Sequence, residues 1–234
     1  MNDWKKSFWI LLFPGFIGLL AHNNLGPEHE KHLHQPVKGE HNPHPGWSPQ
    51  DLRHSGGPDS YGYVFVDSNE PDGPQFNYIN FVGETITNMG DDDYRGPIQL
   101  PFDFTFYGEA YSQIYINSNG SVSFGTGNTE YNNSTIPDQG VPNNLIAFFW
   151  DDLNPASGGI IEYGQVENSW VCSFVNVREY GGSGTISAQV ILTEDSEIFF
   201  QYLDFNNGID INGETIGIEN SDGSTGLMVS LDYN

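Results

Sequence analysis

From residue 56 onward, apolar side chains recur at every second position over short stretches, and no stretch sustains the spacing of an amphipathic helix. In Phe102-Asp103-Phe104-Thr105-Phe106 the three rings fall on one side and Asp103 and Thr105 on the other, which predicts a strand with one buried and one wet face. Leu145-Ile146-Ala147-Phe148-Phe149-Trp150 is apolar on both sides, which predicts a central strand, and it runs straight into Asp151 and Asp152. The same reading predicts strands over 61–66, 76–81, 102–107, 113–117, 121–124, 145–150, 160–166, 169–177, 185–193, 197–205, 214–219 and 227–232. Asp72-Gly73, Asn119-Gly120, Asn207-Gly208, Asn212-Gly213 and Asp222-Gly223 place glycine where a tight turn needs a positive φ, so neighbouring strands are antiparallel. The expectation is an all-β antiparallel two-sheet β-sandwich, jelly-roll-like, with a closed β-barrel as the alternative.

Ahead of this pattern the chain reads differently. Lys5 and Lys6 precede an apolar run from Phe8 to Ala21, shorter than a bilayer span, so residues 1–21 are expected to be a signal peptide removed on export. Residues 22–55 carry Pro27, Pro36, Pro43, Pro45 and Pro49 among His, Glu and Lys, which predicts an extended linker. Its His32, His34, His41 and His44 have a spacing that could collect zinc, copper or nickel, but a floppy tract binds weakly because ordering it costs entropy, and a solvated spacer is the expected reading. The acidic domain is then expected over 56–234.

Charge sharpens the division. The 234 residues hold 7 Lys and Arg against 31 Asp and Glu, for a formal net charge of −24, and beyond residue 54 the only bases are Arg95 and Arg178. Such a surface excludes nucleic acid as a partner, and no membrane contact is expected beyond the signal segment. All seven His lie between His22 and His54, so Ser-His-Asp and Cys-His catalysis are hard to place in the domain, as is a His-ligated zinc. Cys172, the only thiol, sits in an alternating stretch and is expected to be a small buried side chain, so no disulfide staples the fold. A carboxylate-dependent glycoside hydrolase is the remaining enzymatic alternative; the main expectation is no enzyme.

Carboxylates and amide oxygens clustered in turns suit calcium, a hard cation that takes six to eight oxygen ligands. Three groups qualify: Asp67 and Glu70 with Asp72; Asp91, Asp92 and Asp93; and Asp151 and Asp152 with Asn154; solvated turns of a protein adapted to salty or acidic surroundings explain the same acids equally. Asn132-Asn133-Ser134-Thr135 contains two overlapping glycan acceptor sequons, expected to be there by chance.

Several motifs occur in a recognisable order. They are Gly57-Pro58-Asp59-Ser60-Tyr61-Gly62-Tyr63, Asp67-Ser68-Asn69-Glu70-Pro71-Asp72-Gly73-Pro74, Gly90-Asp91-Asp92-Asp93-Tyr94, Ser118-Asn119-Gly120, Phe124-Gly125, and Pro142-Asn143-Asn144-Leu145-Ile146-Ala147 leading into Trp150-Asp151-Asp152-Leu153. In this order, with Ile216-Gly217-Ile218-Glu219-Asn220 near the end, they resemble a β-sandwich module of secreted bacterial proteins that occurs alone or appended to subtilisin-like peptidases and surface proteins. Residues 118–201 more distantly resemble the nidogen-type extracellular domain. The resemblance implies export and no settled catalytic role. The expected function is a secreted or cell-surface module for cell adhesion or ligand binding, calcium-stabilised. Its partner would be an extracellular protein or glycan surface, or copies of itself, and Tyr107, Tyr111, Tyr131 and Tyr180 are candidates for stacking on sugars. The alternatives are a subunit of an extracellular assembly or fibre, and an accessory to a secreted peptidase.

Overall fold

The computed structural model describes residues 6–12, 55–68, 70, 73–206, 208–209 and 213–229. The strands are β1 (Lys6–Leu12), β2 (Ser55–Gly56), β3 (Tyr63–Asp67), β4 (Glu84–Thr85), β5 (Tyr94–Phe106), β6 (Glu109–Asn117), β7 (Ser121–Ser123), β8 (Leu145–Trp150), β9 (Ile160–Val166), β10 (Ser169–Arg178), β11 (Thr185–Thr193), β12 (Ile198–Asn206), β13 (Thr215–Glu219) and β14 (Gly226–Val229). The one helical piece among the described residues is a 3-10 turn at Pro155–Ser157. An eight-stranded sheet runs β2-β3-β1-β12-β11-β10-β9-β4 and a six-stranded sheet runs β14-β13-β8-β7-β6-β5. Every pairing is antiparallel, and the two open sheets pack as a sandwich, so the barrel alternative falls away.

The inner faces carry the core the alternation predicted. Phe104, Phe106, Ile114, Ile116, Phe148 and Ile218 of one sheet meet Phe65, Trp170, Phe174, Val190, Phe200 and Tyr202 of the other, all buried. Phe148 meets Phe174 edge-on at 5.0 Å between centroids, and Tyr202 Oη donates to the Phe148 carbonyl, tying the layers together. Cys172 is fully buried here, and burial pushes its thiol pKa up, which makes it a packing residue rather than a nucleophile.

Both outer faces are also covered, which accounts for strands that are apolar on both sides. The β7–β8 connection lies over the six-stranded sheet, where Ile136 packs with Leu145, Ala147 and Trp150, and Trp150 Nε1 donates to the Glu130 carbonyl at 3.0 Å. Within that connection Asn133 is buried and its amide donates to Gly213 O at 2.5 Å and Thr215 Oγ1 at 2.9 Å, so the folded domain does not present it as a glycan acceptor.

Two expectations need correction. Residues 76–81 are not a strand: they form an extended strap across the outer face of the eight-stranded sheet. Asn77 N–H donates to Gln201 Oε1, and Ile79 exchanges hydrogen bonds with the Gln189 amide at 3.0 and 2.7 Å. A half-buried strap and a half-buried strand share one alternation, so period alone does not separate them. The strand expected at 102–107 begins at Tyr94, because residues 94–101 continue along β6 through bulges around Pro97 and Pro101. Lys6–Leu12, inside the expected signal peptide, forms β1, antiparallel to both β12 and β3. Residues 22–54 of the expected linker, with its His cluster, lie outside the described residues, as do Asp72 and the end of the 227–232 strand, whereas Ser55 falls in β2.

Candidate functional site

Three loops meet at one end of the six-stranded sheet because of strand register. Tyr94, at the start of β5, pairs with Asn117, at the end of β6, which puts the 91–93 loop beside the Ser118-Asn119-Gly120 turn. Gly120 O accepts the Phe149 N–H at 3.0 Å and Asn119 O accepts the Asp151 N–H at 3.3 Å, so the end of β8 joins them. Gly120 has φ +76°, and a Cβ there would lie 1.7 Å from the Phe149 carbonyl oxygen; only glycine permits this approach.

On this frame one carboxylate oxygen from each of Asp91, Asp92 and Asp152 lies within 4.8 Å of the other two, the one such acidic group among the described residues. Asp152 is 8% exposed, whereas Asp91 and Asp92 sit half-buried at the rim. Three like charges so close repel one another, and a cation among them removes that cost. The donor set is all oxygen, with neither His nor Cys, which is the chemistry of calcium rather than zinc. The residues fit calcium as three ligands, leaving its further positions to carbonyls or water.

The structure separates the other expected ligands from this group. Asp93 turns to its own loop, accepting the Gly90 and Tyr94 N–H groups at 2.9 and 2.8 Å, and lies 3.9 Å from Arg95 in an exposed ion pair. Asp151 Oδ1 accepts the Asp152 N–H at 2.8 Å, fixing the backbone that aims Asp152. Asn154 caps the 3-10 turn by accepting the Ser157 N–H at 3.1 Å. Asp67 is buried at the end of β3 and Glu70 accepts the Ser55 hydroxyl at 3.1 Å; neither joins the trio.

Asn119, which the sequence marked only as a turn residue, organises the site. It is 1% exposed, donates to Asp92 Oδ1 at 3.1 Å and accepts the Leu153 N–H at 3.0 Å, bracing one carboxylate and the β8 exit together. The signal available in the sequence was a polar triplet directly after an apolar strand, where burial forces each polar atom to find a partner. Residues just before the 91–93 loop and just after the β8 exit, Asn88, Met89, Gly90, Pro155 and Ala156, line a groove of about 470 Å³.

The aromatic candidates for sugar stacking are placed otherwise. Tyr107 packs edge-on against Tyr63 and Phe106 with its hydroxyl on Asp59 at 2.8 Å, and Tyr111 stacks on Phe124 at 4.6 Å. Tyr131 and Tyr180 are half-buried. Tyr94, beside the acidic loop, is 40% exposed.

Among the described residues no helix is long and apolar enough to cross a membrane. No curated protein and no solved structure matches the chain significantly. The nidogen-related family matches residues 63–234, well beyond the middle segment in which the sequence first showed that likeness. The chain therefore belongs to the nidogen-related family, a non-enzymatic, extracellular module type of unspecified role.

Proposed function

We propose that the protein is an exported adhesion or ligand-binding module that holds a protein or glycan surface through the loop end of its sandwich, with calcium at Asp91, Asp92 and Asp152 ordering those loops. The convergence of these three carboxylates from two distant loops, braced by Asn119, is the observation that carries the reading. Calcium there would join the β5 entrance to the β8 exit, and the adjoining groove and the Tyr94 ring offer a surface to a ligand. The bacterial source and the pairing with a peptidase stay with this proposal, supported by the motif resemblance alone.

Thermal unfolding in 1 mM calcium chloride, compared with sodium chloride of equal ionic strength, tests the metal. A site with a dissociation constant of ~0.1 mM adds roughly 1.4 kcal/mol by mass action. Asp91→Asn with Asp152→Asn should erase that increment. Equal stabilisation by the two salts would reject the calcium site. A glycan array probed with and without calcium tests the binding role.

A further inference from the structure

The position between β3 and β12 in the eight-stranded sheet is filled by a segment that the rest of the chain does not need for continuity. Lys6–Leu12 pairs on one side with Tyr202 through Ile198 and on the other with Asp67 through Tyr63. Removing it leaves two facing strand edges one strand apart, about 10 Å, each with unused backbone donors and acceptors. Among the described residues β3 pairs otherwise only with the two-residue β2, yet its place is held by other contacts. The Tyr63 ring meets Tyr107 at 4.8 Å and Phe106 at 6.2 Å, and the Asp59 carboxylate accepts the N–H groups of Tyr61, Gly62 and Tyr63. The outer edges of this sheet, by contrast, are the two-residue β2 and β4, too short to template an incoming strand.

We propose that this slot is a strand-acceptor site, which removal of residues 1–21 on export opens to an apolar, cation-flanked β-strand from a partner chain. The chemistry of the occupant follows from the register. Phe8 stands opposite Asp67 and Phe200, Ile10 opposite Phe65 and Ile198, and Leu12 opposite Tyr63. Each of those neighbours is buried, so a strand in the slot needs apolar residues at alternate positions. Lys6 at the end of the occupying strand matches a domain that holds two bases beyond residue 54, and a donor carrying carboxylates would be repelled. Residues 22–54 cannot serve. Five prolines divide them into short charged or His-rich pieces, and a strand paired on both sides needs every N–H. With residues 22–54 unsuited, the donor proposed is a strand of another chain.

The inference rests on the export reading above, and its test separates the two. The exported protein is recovered, its intact mass is measured, and it is titrated with a labelled peptide of sequence Lys6–Leu12. The expected result is loss of residues 1–21, saturable one-to-one binding and a raised melting temperature. Peptide carrying Phe8→Asp and Ile10→Asp should bind about 100-fold more weakly, because each carboxylate would stand opposite buried Phe200 or Ile198. Cleaved protein that ignores the parent peptide, or binds both peptides alike, overturns the slot while leaving export intact. A mass that retains residues 6–12 means the chain's own strand fills the slot permanently, and self-association dissolved by the peptide means a second copy does; either overturns the partner. Protein that stays inside the cell fails the export reading itself.

Discussion

Glu219, the last residue of β13, is 2% exposed and accepts the Asp138 N–H at 2.5 Å. Burial pushes its carboxyl from 4.5 up to about 7; the Asp138 N–H pulls the other way and the Asp138 charge adds to the rise. The folded state thus holds this proton more tightly than the unfolded chain does. Its contribution to stability is fully present below about pH 4.5 and is lost as pH rises through about 7, a fall on the order of 1–3 kcal/mol. Urea unfolding of the protein and of Glu219→Gln between pH 4 and 8 checks this: the difference between the two should slope in that window, and parallel curves would refute it. Composition and spacing gave no sign of this residue, since Glu219 ends an ordinary alternating strand and its partner Asp138 lies 81 positions away. Cys172 was legible for the opposite reason, because the residues two positions away on the same face, Trp170 and Phe174, are apolar.

At the scale of elements, most strands were readable because each has one face on the core and the side chains alternate with period two. The strap was not, and its anchors are two glutamines set between apolar neighbours, Gln189 between Ala188 and Val190 and Gln201 between Phe200 and Tyr202. Gln189 is fully buried, bonding Ile79 in both directions and Ser173 Oγ at 2.8 Å. Replacing it by leucine leaves the Ile79 N–H and carbonyl facing an apolar side chain, at a cost of about 2–4 kcal/mol. Hydrogen exchange at residues 76–81 should rise well before the sheet itself opens. Protection that stays unchanged in Gln189→Leu would show that apolar packing alone holds the strap. The polar residue in an apolar strand was visible in the sequence, but its partner, 110 positions away, was not.

Over the whole molecule, the formal charge of −24 sets a self-repulsion that salt screens within about 8 Å at physiological ionic strength. Raising sodium chloride from 20 mM to 500 mM should therefore stabilise the domain by roughly 1 kcal/mol, about 2–4 °C in melting temperature, without any specific ion. A flat response would mean that the charges are spaced too widely to repel. This background is also the control against which calcium at Asp91, Asp92 and Asp152 has to stand out. The sequence by itself determined the fold class, the antiparallel turns, the central place of Leu145–Trp150 and the acidic surface, because alternation, glycine turns and net charge are properties of neighbouring residues or of sums over the chain. The tertiary structure alone decided that the carboxylates of Asp92 and Asp152 lie within 4.8 Å while Asp93 and Asn154 bond within their own loops, that residues 76–81 cross a sheet instead of joining one, and that Lys6–Leu12 can lie between β3 and β12. Those outcomes depend on which distant strands are neighbours and in what register, and strand register is set by the packing of two whole sheets rather than by any local run of residues.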